Sequence, residues 1–369
     1  MRFVTIDGGI RACIPEGDLA TIQPPSSCVS QLAEASRLLG KLDGITTRLD
    51  IEGILVYPSQ MREAVASCRI EGTRASFTDL LEFEARSSMY RQEPSDVREI
   101  SNYVTAMRRG FQRLSEIPLS QRLLKELHEQ LLRGVRGGGR DPGQYRTLQV
   151  HIGLGPGSAA QYVPPPPQYV PELMAAWEDY MHAETEQGPL VKSAILHAQF
   201  ELIHPFFDGN GRLGRMLVSL YLAHSGALSH PVLVISEWLE ARRSEYYQSL
   251  RSISADGDWE PWLTLFIIAV RDQAAKRIAI VERQLILHRE YQEAIKSRTR
   301  SSAALAALDC IFERVMVSSK LLAQDVGRTP QWALQTLKKF EAVGLVREVS
   351  VRRRGRLYLC PELLNLLES

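Results

Sequence analysis

The sequence lacks most of what would mark a chain for a special environment. No stretch is apolar for long enough to span a bilayer, and the N-terminus has neither the basic nor the apolar region of a secretory leader. Neither a membrane protein nor a secreted one is expected. Charge of one sign is also missing. The 44 Lys and Arg against 43 Asp and Glu leave a net charge of +1, so no global field draws the chain to nucleic acid or lipid. Cysteine is scarce: Cys13, Cys28, Cys68, Cys310 and Cys360 are odd in number and have neither disulfide nor metal-ligand spacing. Free thiols in the cytoplasm fit that usage. There is no internal repeat and no low-complexity tract. A soluble, cytoplasmic protein is expected, and 369 residues suffice for two or three domains.

What is present is mostly helical periodicity. Apolar residues at helical spacing predict helices over Val29–Arg48, Ser59–Arg69, Phe77–Ser88, Pro94–Leu114 and Ser120–Leu132. Helices are expected again over Pro171–Glu184, Val191–Ile203, Glu237–Ser252, Trp259–Arg271 and Gln273–Lys296. Gly72 is a natural helix stop, and Val135–Gly143 reads as a loop. Tyr145–Ile152 is β-branched and apolar enough for a strand that returns at Gln161–Val163 and stops at Pro164–Pro167. The expected fold class is mainly α, a helical bundle with one small β-hairpin.

The most informative segment runs from His204 through Pro205, Phe206, Phe207, Asp208, Gly209, Asn210, Gly211, Arg212, Leu213 and Gly214 to Arg215. Apolar helical runs flank it, so the Gly-Asn-Gly turn opens a helix whose first amides lack intrahelical partners. Such an end favours phosphate by hydrogen bonding and by the helix dipole. Arg212 and Arg215 share a helix face and can hold neighbouring phosphates. Asp208 suits Mg2+, which prefers one or two carboxylates together with phosphate oxygens and water. His204 is the proton acceptor of the group. These features describe a nucleoside-triphosphate site with a base attached. His197, two helical turns earlier and without a ligand set around it, reads as a buried structural partner.

The segment resembles the signature of the Fic family, His-Pro-Phe-x-(Asp/Glu)-Gly-Asn-Gly-Arg-x-x-Arg. The likeness extends over about Arg69 to Phe266 and includes Asn102-Tyr103, Gly143-x-Tyr145-Arg146, Pro164–Pro167 and Tyr246-Tyr247. It implies a helical protein adenylyltransferase that moves AMP from ATP to a Ser, Thr or Tyr hydroxyl of a protein, its own chain included, and releases pyrophosphate. By resemblance His204 would deprotonate the hydroxyl and Asp208 would hold Mg2+. Asn210 would position the α-phosphate. Gly209, Gly211, Arg212 and Arg215, with Leu213 and Gly214 between them, would cradle the phosphates. Gln149–Tyr162, with Ile152 and Gly153, would be the flap that pins the target by strand addition and closes on ATP. Tyr246 and Tyr247 would flank the adenine, while Ser254 stands where relatives often carry Asn. Ser67-Cys68-Arg69-Ile70-Glu71-Gly72 resembles the inhibitory motif of class II members, with Ser67, Glu71 and Gly72 at its fixed positions. A Glu71 carboxylate beside Arg215 would occupy the guanidinium meant for the γ-phosphate.

The Ser- and Arg-rich break after Lys296 marks a boundary, which divides the chain into 1–100, 101–296 and 297–369. Beyond it, helices over Ala303–Arg314, Ser319–Val326 and Thr329–Val343 and strands over Leu345–Val351 and Arg356–Cys360 resemble a winged helix-turn-helix domain. Gln331, Gln335, Lys338 and Lys339, with Arg347, Arg352, Arg353, Arg354 and Arg356, could contact DNA through 318–360. The unit could equally serve dimerisation, as a homodimer, or protein docking. No motif residue lies beyond Ser297, so that unit is expected to be dispensable for transfer. Three other readings compete with adenylylation: transfer of another nucleotide, phosphocholine or phosphate; removal of AMP with Glu71 activating water; and a DNA-binding regulator whose Fic domain senses a ligand.

Overall fold

The computed structural model describes residues 1–47, 52–86, 95–153, 162–349 and 355–369. The expected helix ends at Arg48, Ser88 and Pro94, the middle of the flap (154–161) and the wing residues Val351, Arg352, Arg353 and Arg354 lie outside them.

The chain opens with an antiparallel hairpin that the helical reading did not anticipate, β1 (Arg2–Ile6) and β2 (Ile10–Ile14), turned at Gly8 and Gly9. Positive φ at both glycines is what a tight hairpin needs. Next come α1 (Val29–Thr47), α2 (Glu52–Ile70), α3 (Phe77–Arg86), α4 (Ser95–Leu114) and α5 (Gln121–Leu131). Then follow α6 (Val170–His182), α7 (Pro189–Ile203), α8 (Asn210–His224), α9 (Ile235–Ala241), α10 (Arg243–Asp256) and α11 (Glu260–Lys296).

Three helix expectations need correction. Helix α2 starts seven residues before Ser59 and runs through Pro58. A proline there removes the N–H that would bond the Ile54 carbonyl. The side-chain amide of Gln284 on α11 donates to that carbonyl instead, and Arg277 of α11 donates to Ser59 Oγ at 2.5 Å. The run expected over Glu237–Ser252 is two helices, broken at Arg242 with φ −123° and ψ 38°. The two helices expected after Trp259 are one helix of 37 residues. Its buried positions (Leu263, Phe266, Val270, Ala274, Ile278, Val281, Leu287) persist at helical spacing across the expected break, so nothing interrupts it.

The strand expected over Tyr145–Ile152 does not form. Among the described residues the hairpin is a single bridge, Ile152 to Tyr162, with N–H···O distances of 2.9 and 3.3 Å. Side chains replace the rest of the ladder: Gln149 donates to the Pro164 carbonyl at 2.9 Å and Tyr162 to the Leu202 carbonyl at 2.6 Å.

Helix α7 is the axis of the bundle. Nearly every residue in it is buried, as expected of a helix apolar on all sides, and it packs against α6, α8, α10 and α11. Pro189 starts it at the position where the missing N–H costs nothing. It is antiparallel to α8, and the loop 204–209 joins them at one end of the core.

After α11 come α12 (Ser302–Arg314), β3 (Met316–Ser318), α13 (Ser319–Val326), α14 (Pro330–Glu341), β4 (Arg347–Glu348), β5 (Leu357–Leu359) and α15 (Pro361–Glu368). The strands pair antiparallel in the order β3-β5-β4, beside the α13–α14 helix pair. Thr329 caps α14 by accepting from the Trp332 N–H, and Pro330 follows at the first helical position. Gln331, Gln335, Lys338 and Lys339 are all exposed. β3 and α15 were not expected from the sequence. This unit is not detached: α12 packs along α2, β3 touches α3, and α15 lies on α11. All five cysteines are free and buried. Among the described residues no helix is long and apolar enough to cross a membrane.

Candidate active site

The segment that links α7 to α8 builds the site. Helix α7 ends at His204, whose φ of 50° and ψ of 59° are left-handed, a conformation that a non-glycine residue holds only when its surroundings impose it. Arg146 imposes it. Its Nε donates to the His204 carbonyl at 2.8 Å, its Nη2 donates to the Pro165 and Ile203 carbonyls, and its own N–H donates to the Pro205 carbonyl at 2.9 Å. Burial lowers the Arg146 pKa to about 10, which leaves it charged at neutral pH. The His204 ring sets Nδ1 3.3 Å from the Glu201 carbonyl, and a carbonyl only accepts, so the proton lies on Nδ1 and the Nε2 lone pair is free. Burial, then the positive charge of Arg146, pushes the His204 pKa down to about 4. The ring is neutral in the physiological range.

Asn210 closes the loop rather than reaching a ligand. Its Oδ1 accepts from the Phe206 N–H and its Nδ2 donates to the Phe206 carbonyl, both at 2.9 Å. His128, on α5, is a residue the sequence reading missed. Its Nδ1 accepts from the Gly143 N–H at 2.8 Å, so its Nε2 carries the proton and donates to the Asp208 carbonyl at 2.8 Å. The ring also stacks on Phe206, centroids 3.8 Å apart. Burial lowers its pKa to about 4 and keeps this tautomer in place.

Asp208 points its carboxylate away from that contact. Oδ1 accepts from the Gly209 N–H at 2.6 Å and from Arg212 Nη2 at 3.2 Å. Oδ2 sits over Gly137, where a Cβ would meet it at 2.8 Å. Arg212 is 1% exposed and is also paired, at 3.5 Å, with Glu99 of α4, which accepts from Thr73 Oγ1 at 3.0 Å. Its guanidinium therefore lies between the buried Glu99 carboxylate and Asp208. Leu213 offers a ligand nothing, since its side chain is in the core and its N–H donates to the Gly209 carbonyl. Gly214 serves close packing: its carbonyl lies 2.8 Å from His197 Nδ1, and the Glu201 carboxyl fills the space beside its Cα.

The start of α8 keeps its amides available, because Gly209 at φ 80° leads in and no side chain caps the helix. An anion already stands there. Glu71 Oε1 lies 2.2 Å from where a Cβ on Gly211 would be, a place only glycine leaves open. The same oxygen accepts from Arg215 Nη2 at 2.7 Å. Arg215 also donates through Nε to Ser67 Oγ and through Nη2 to the Ser67 carbonyl, each at 2.9 Å. Gly72, at φ 94°, ends the helix just after Glu71. Burial raises the Glu71 pKa, but the charge and hydrogen bond of Arg215, together with the charge of Arg212 and the His204 ring, outweigh it and the net shift is downward, so the carboxylate is ionised.

These groups share one cavity of about 290 Å³. Glu71, Gly211 and Arg215 line its anionic end, His204 and Glu201 its side, and Ile152, Gly153, Tyr246, Tyr247 and Ser254 the remainder. Tyr246 is buried and its hydroxyl lies 2.9 Å from His197 Nε2, while Tyr247 is 41% exposed. Because His197 Nδ1 donates to the Gly214 carbonyl, Nε2 accepts and Tyr246 is the donor. His197 is thus the structural partner its spacing suggested.

Two family profiles match this chain, one described as Fic/DOC family over residues 118–222 and one as Fic/DOC family N-terminal over 29–112. Together they cover more than half of it. The chain belongs to the Fic/DOC family. In this Fic/DOC chain the first profile contains His204 to Arg215 and the second contains Ser67, Glu71 and Glu99; Tyr246 and Tyr247 lie beyond both. Among curated relatives, the protein adenylyltransferase fic-1 of Caenorhabditis briggsae is 35% identical over 143 residues, 37% of this chain and 24% of that protein. A probable protein adenylyltransferase of Aquifex aeolicus is 31% identical over 179 residues, 48% of this chain and 52% of that one. The chain thus spans about a quarter to a half of the length of the curated relatives it matches. A solved Fic family protein from Desulfovibrio desulfuricans G20 shares the fold, with a TM-score of 0.58 at 22% identity, over 92% of this chain and 98% of the other.

Proposed function

We propose that this Fic/DOC chain is a protein adenylyltransferase that transfers AMP from ATP to a Ser, Thr or Tyr hydroxyl of a protein, its own chain included, and that Glu71 holds it inactive. One observation carries the reading: a neutral histidine with a free Nε2 lines the same cavity as a helix start where a carboxylate stands in for phosphate. In the reaction the target hydroxyl oxygen bonds to the α-phosphorus, the bond from that phosphorus to the β-phosphate oxygen breaks, and pyrophosphate leaves. The hydroxyl proton passes to His204 Nε2. A pKa of about 4 makes a weak base, and the negative charge of a bound polyphosphate raises it toward the working range.

The terminal phosphate takes the position of the Glu71 carboxylate against Arg215 and the N–H groups of α8. Magnesium fits the chemistry of Asp208. This is a single carboxylate beside a phosphate cradle, and no cluster of three or more His, Cys, Asp or Glu side chains competes with it among the described residues. Asp208 would hold the ion, which when bound neutralises charge on the phosphates. While Glu71 occupies the cradle, the phosphates cannot settle in line, and misplacement on that scale costs orders of magnitude in rate.

Incubating the full chain and its Glu71→Gly variant with α-labelled ATP and magnesium tests the reading. Labelled chain, and a mass increase equal to one AMP, are expected in the variant. A variant that stays unlabelled, or a mass increase equal to one phosphate in place of one AMP, would overturn it.

A further inference from the structure

Glu201 is a half-buried acid without a role in the chemistry given above. It lies one turn of α7 before His204 and lines the cavity, yet its Oε1 is shielded from solvent and meets no hydrogen-bond partner among the described residues. The Tyr246 hydroxyl, in the same cavity, gives it no help, because it donates to His197. The packing holds the carboxyl in this position: it fills the space over Gly214, where a Cβ would come within 2.2 Å of Oε1. A shielded carboxyl oxygen without a partner is costly in general, so its presence needs a reason.

Its place in the cavity supplies one. Glu201 is three residues, about one helical turn or roughly 5 Å, before the base His204, which acts at the α-phosphate. It lines the same cavity as Tyr246, Tyr247 and Ser254. The part of a nucleotide joined directly to the α-phosphate is its sugar. We propose that Glu201 is a specificity-determining residue whose carboxyl pairs with the ribose hydroxyls of the bound nucleotide. This rests on the nucleotide reading given above.

The protonation state agrees. Burial pushes the Glu201 pKa up to about 8, against the opposing pull of Arg215, so the group is largely a neutral acid at pH 7. A neutral acid both donates and accepts, as does each sugar hydroxyl, and the pair forms without placing a second negative charge beside Glu71.

Calorimetric titration of the full chain with magnesium complexes of ATP, 2′,3′-dideoxy-ATP and inosine triphosphate tests this. Wild-type chain should prefer ATP to the dideoxy nucleotide by roughly tenfold or more, the usual effect of leaving a built polar partner unpaired. Glu201→Ala should bring that ratio near one by weakening ATP alone. Glu201→Gln, which keeps shape and fold, should retain part of it. A ratio unchanged in both variants, or equal weakening of both nucleotides, would make Glu201 structural and overturn the proposal. Altered preference between ATP and inosine triphosphate, with the dideoxy ratio intact, would move the carboxyl to the base and overturn the sugar assignment. Wild-type chain that binds ATP and its dideoxy analogue equally would overturn the role of Glu201 alone. Wild-type chain that binds neither would overturn the nucleotide reading itself.

Discussion

Replacing Glu71 by glycine removes one short bond, and its consequences follow from where that bond sits. Arg215 is 1% exposed and Glu71 29%, with Nη2 and Oε1 2.7 Å apart. A hydrogen bond to a charged group contributes about 1.5–3 kcal/mol net. At about 1.4 kcal/mol per tenfold, releasing it for use by a phosphate should raise the initial rate of adenylylation roughly ten- to a hundredfold. The rate is read as AMP label incorporated per minute at saturating ATP. A double-mutant cycle with Arg215→Ala isolates the pair, because the gain from Glu71→Gly should vanish once the guanidinium is gone. A second readout is independent of transfer. Without ATP, the variant removes the acidic partner of the buried Arg215 and leaves it the Ser67 hydroxyl and carbonyl, so its melting temperature should fall. ATP should then raise the melting temperature of the variant by more than that of the wild type. An unchanged rate with Arg215 intact would refute the inhibitory reading and leave Glu71 an ordinary helix-end residue.

His204→Ala should lower transfer by on the order of a hundredfold or more while ATP affinity stays within a few fold, since the ring acts on the hydroxyl; substantial labelling by this variant would remove His204 from the chemistry. Asp208→Asn should shift the magnesium dependence of transfer to higher concentration, and full rescue by added metal would leave Asp208 a minor ligand. Glu99→Gln leaves the buried Arg212 guanidinium with Asp208 as its acidic partner and should cost about 1–3 kcal/mol in denaturant unfolding, part of it recovered when Arg212→Met is added; a cost of a few tenths would show the pair to be incidental. His128 has a folded pKa of about 4 against an ordinary value near 6.5, so its contribution is present above about 6.5 and lost as pH falls toward 4. The advantage of wild type over His128→Gln should therefore shrink by ~3 kcal/mol between pH 7 and pH 4, and an advantage independent of pH would mean that His128 titrates normally.

What could be read in the sequence was what is contiguous. The helix start, the glycine turn and the histidine lie within one short segment, and Ser67, Glu71 and Gly72 within another, so local spacing exposes both. The structure brings these segments together across 144 residues of chain, at Arg215 and Glu71. His128 and Glu99 left no such trace. Their partners are 80 and 113 residues away, and a histidine or glutamate within an amphipathic helix looks the same whether it faces water or an active-site loop. The misread strand over Tyr145–Ile152 has a similar cause. Its apolar, β-branched composition fits a sheet, but the backbone is held by Arg146, Gln149 and Tyr162 side chains, whose targets composition does not reveal. The break at Arg242 and the unbroken course of α11 depend on which faces meet neighbours, which periodicity in one helix cannot tell.

The packing of α12 along α2 has a practical consequence for anyone dividing this chain. Helix α2 ends in Ser67 and Glu71, and along its length it is braced by α11 on one flank and α12 on another. A truncation after Lys296 therefore does more than remove a separate module. It exposes apolar surface on the helix that carries the brake, and the shortened protein would report the loosened brake together with the loss of whatever the distal unit does. The informative cut is one that leaves α12 in place and ends the chain beyond it.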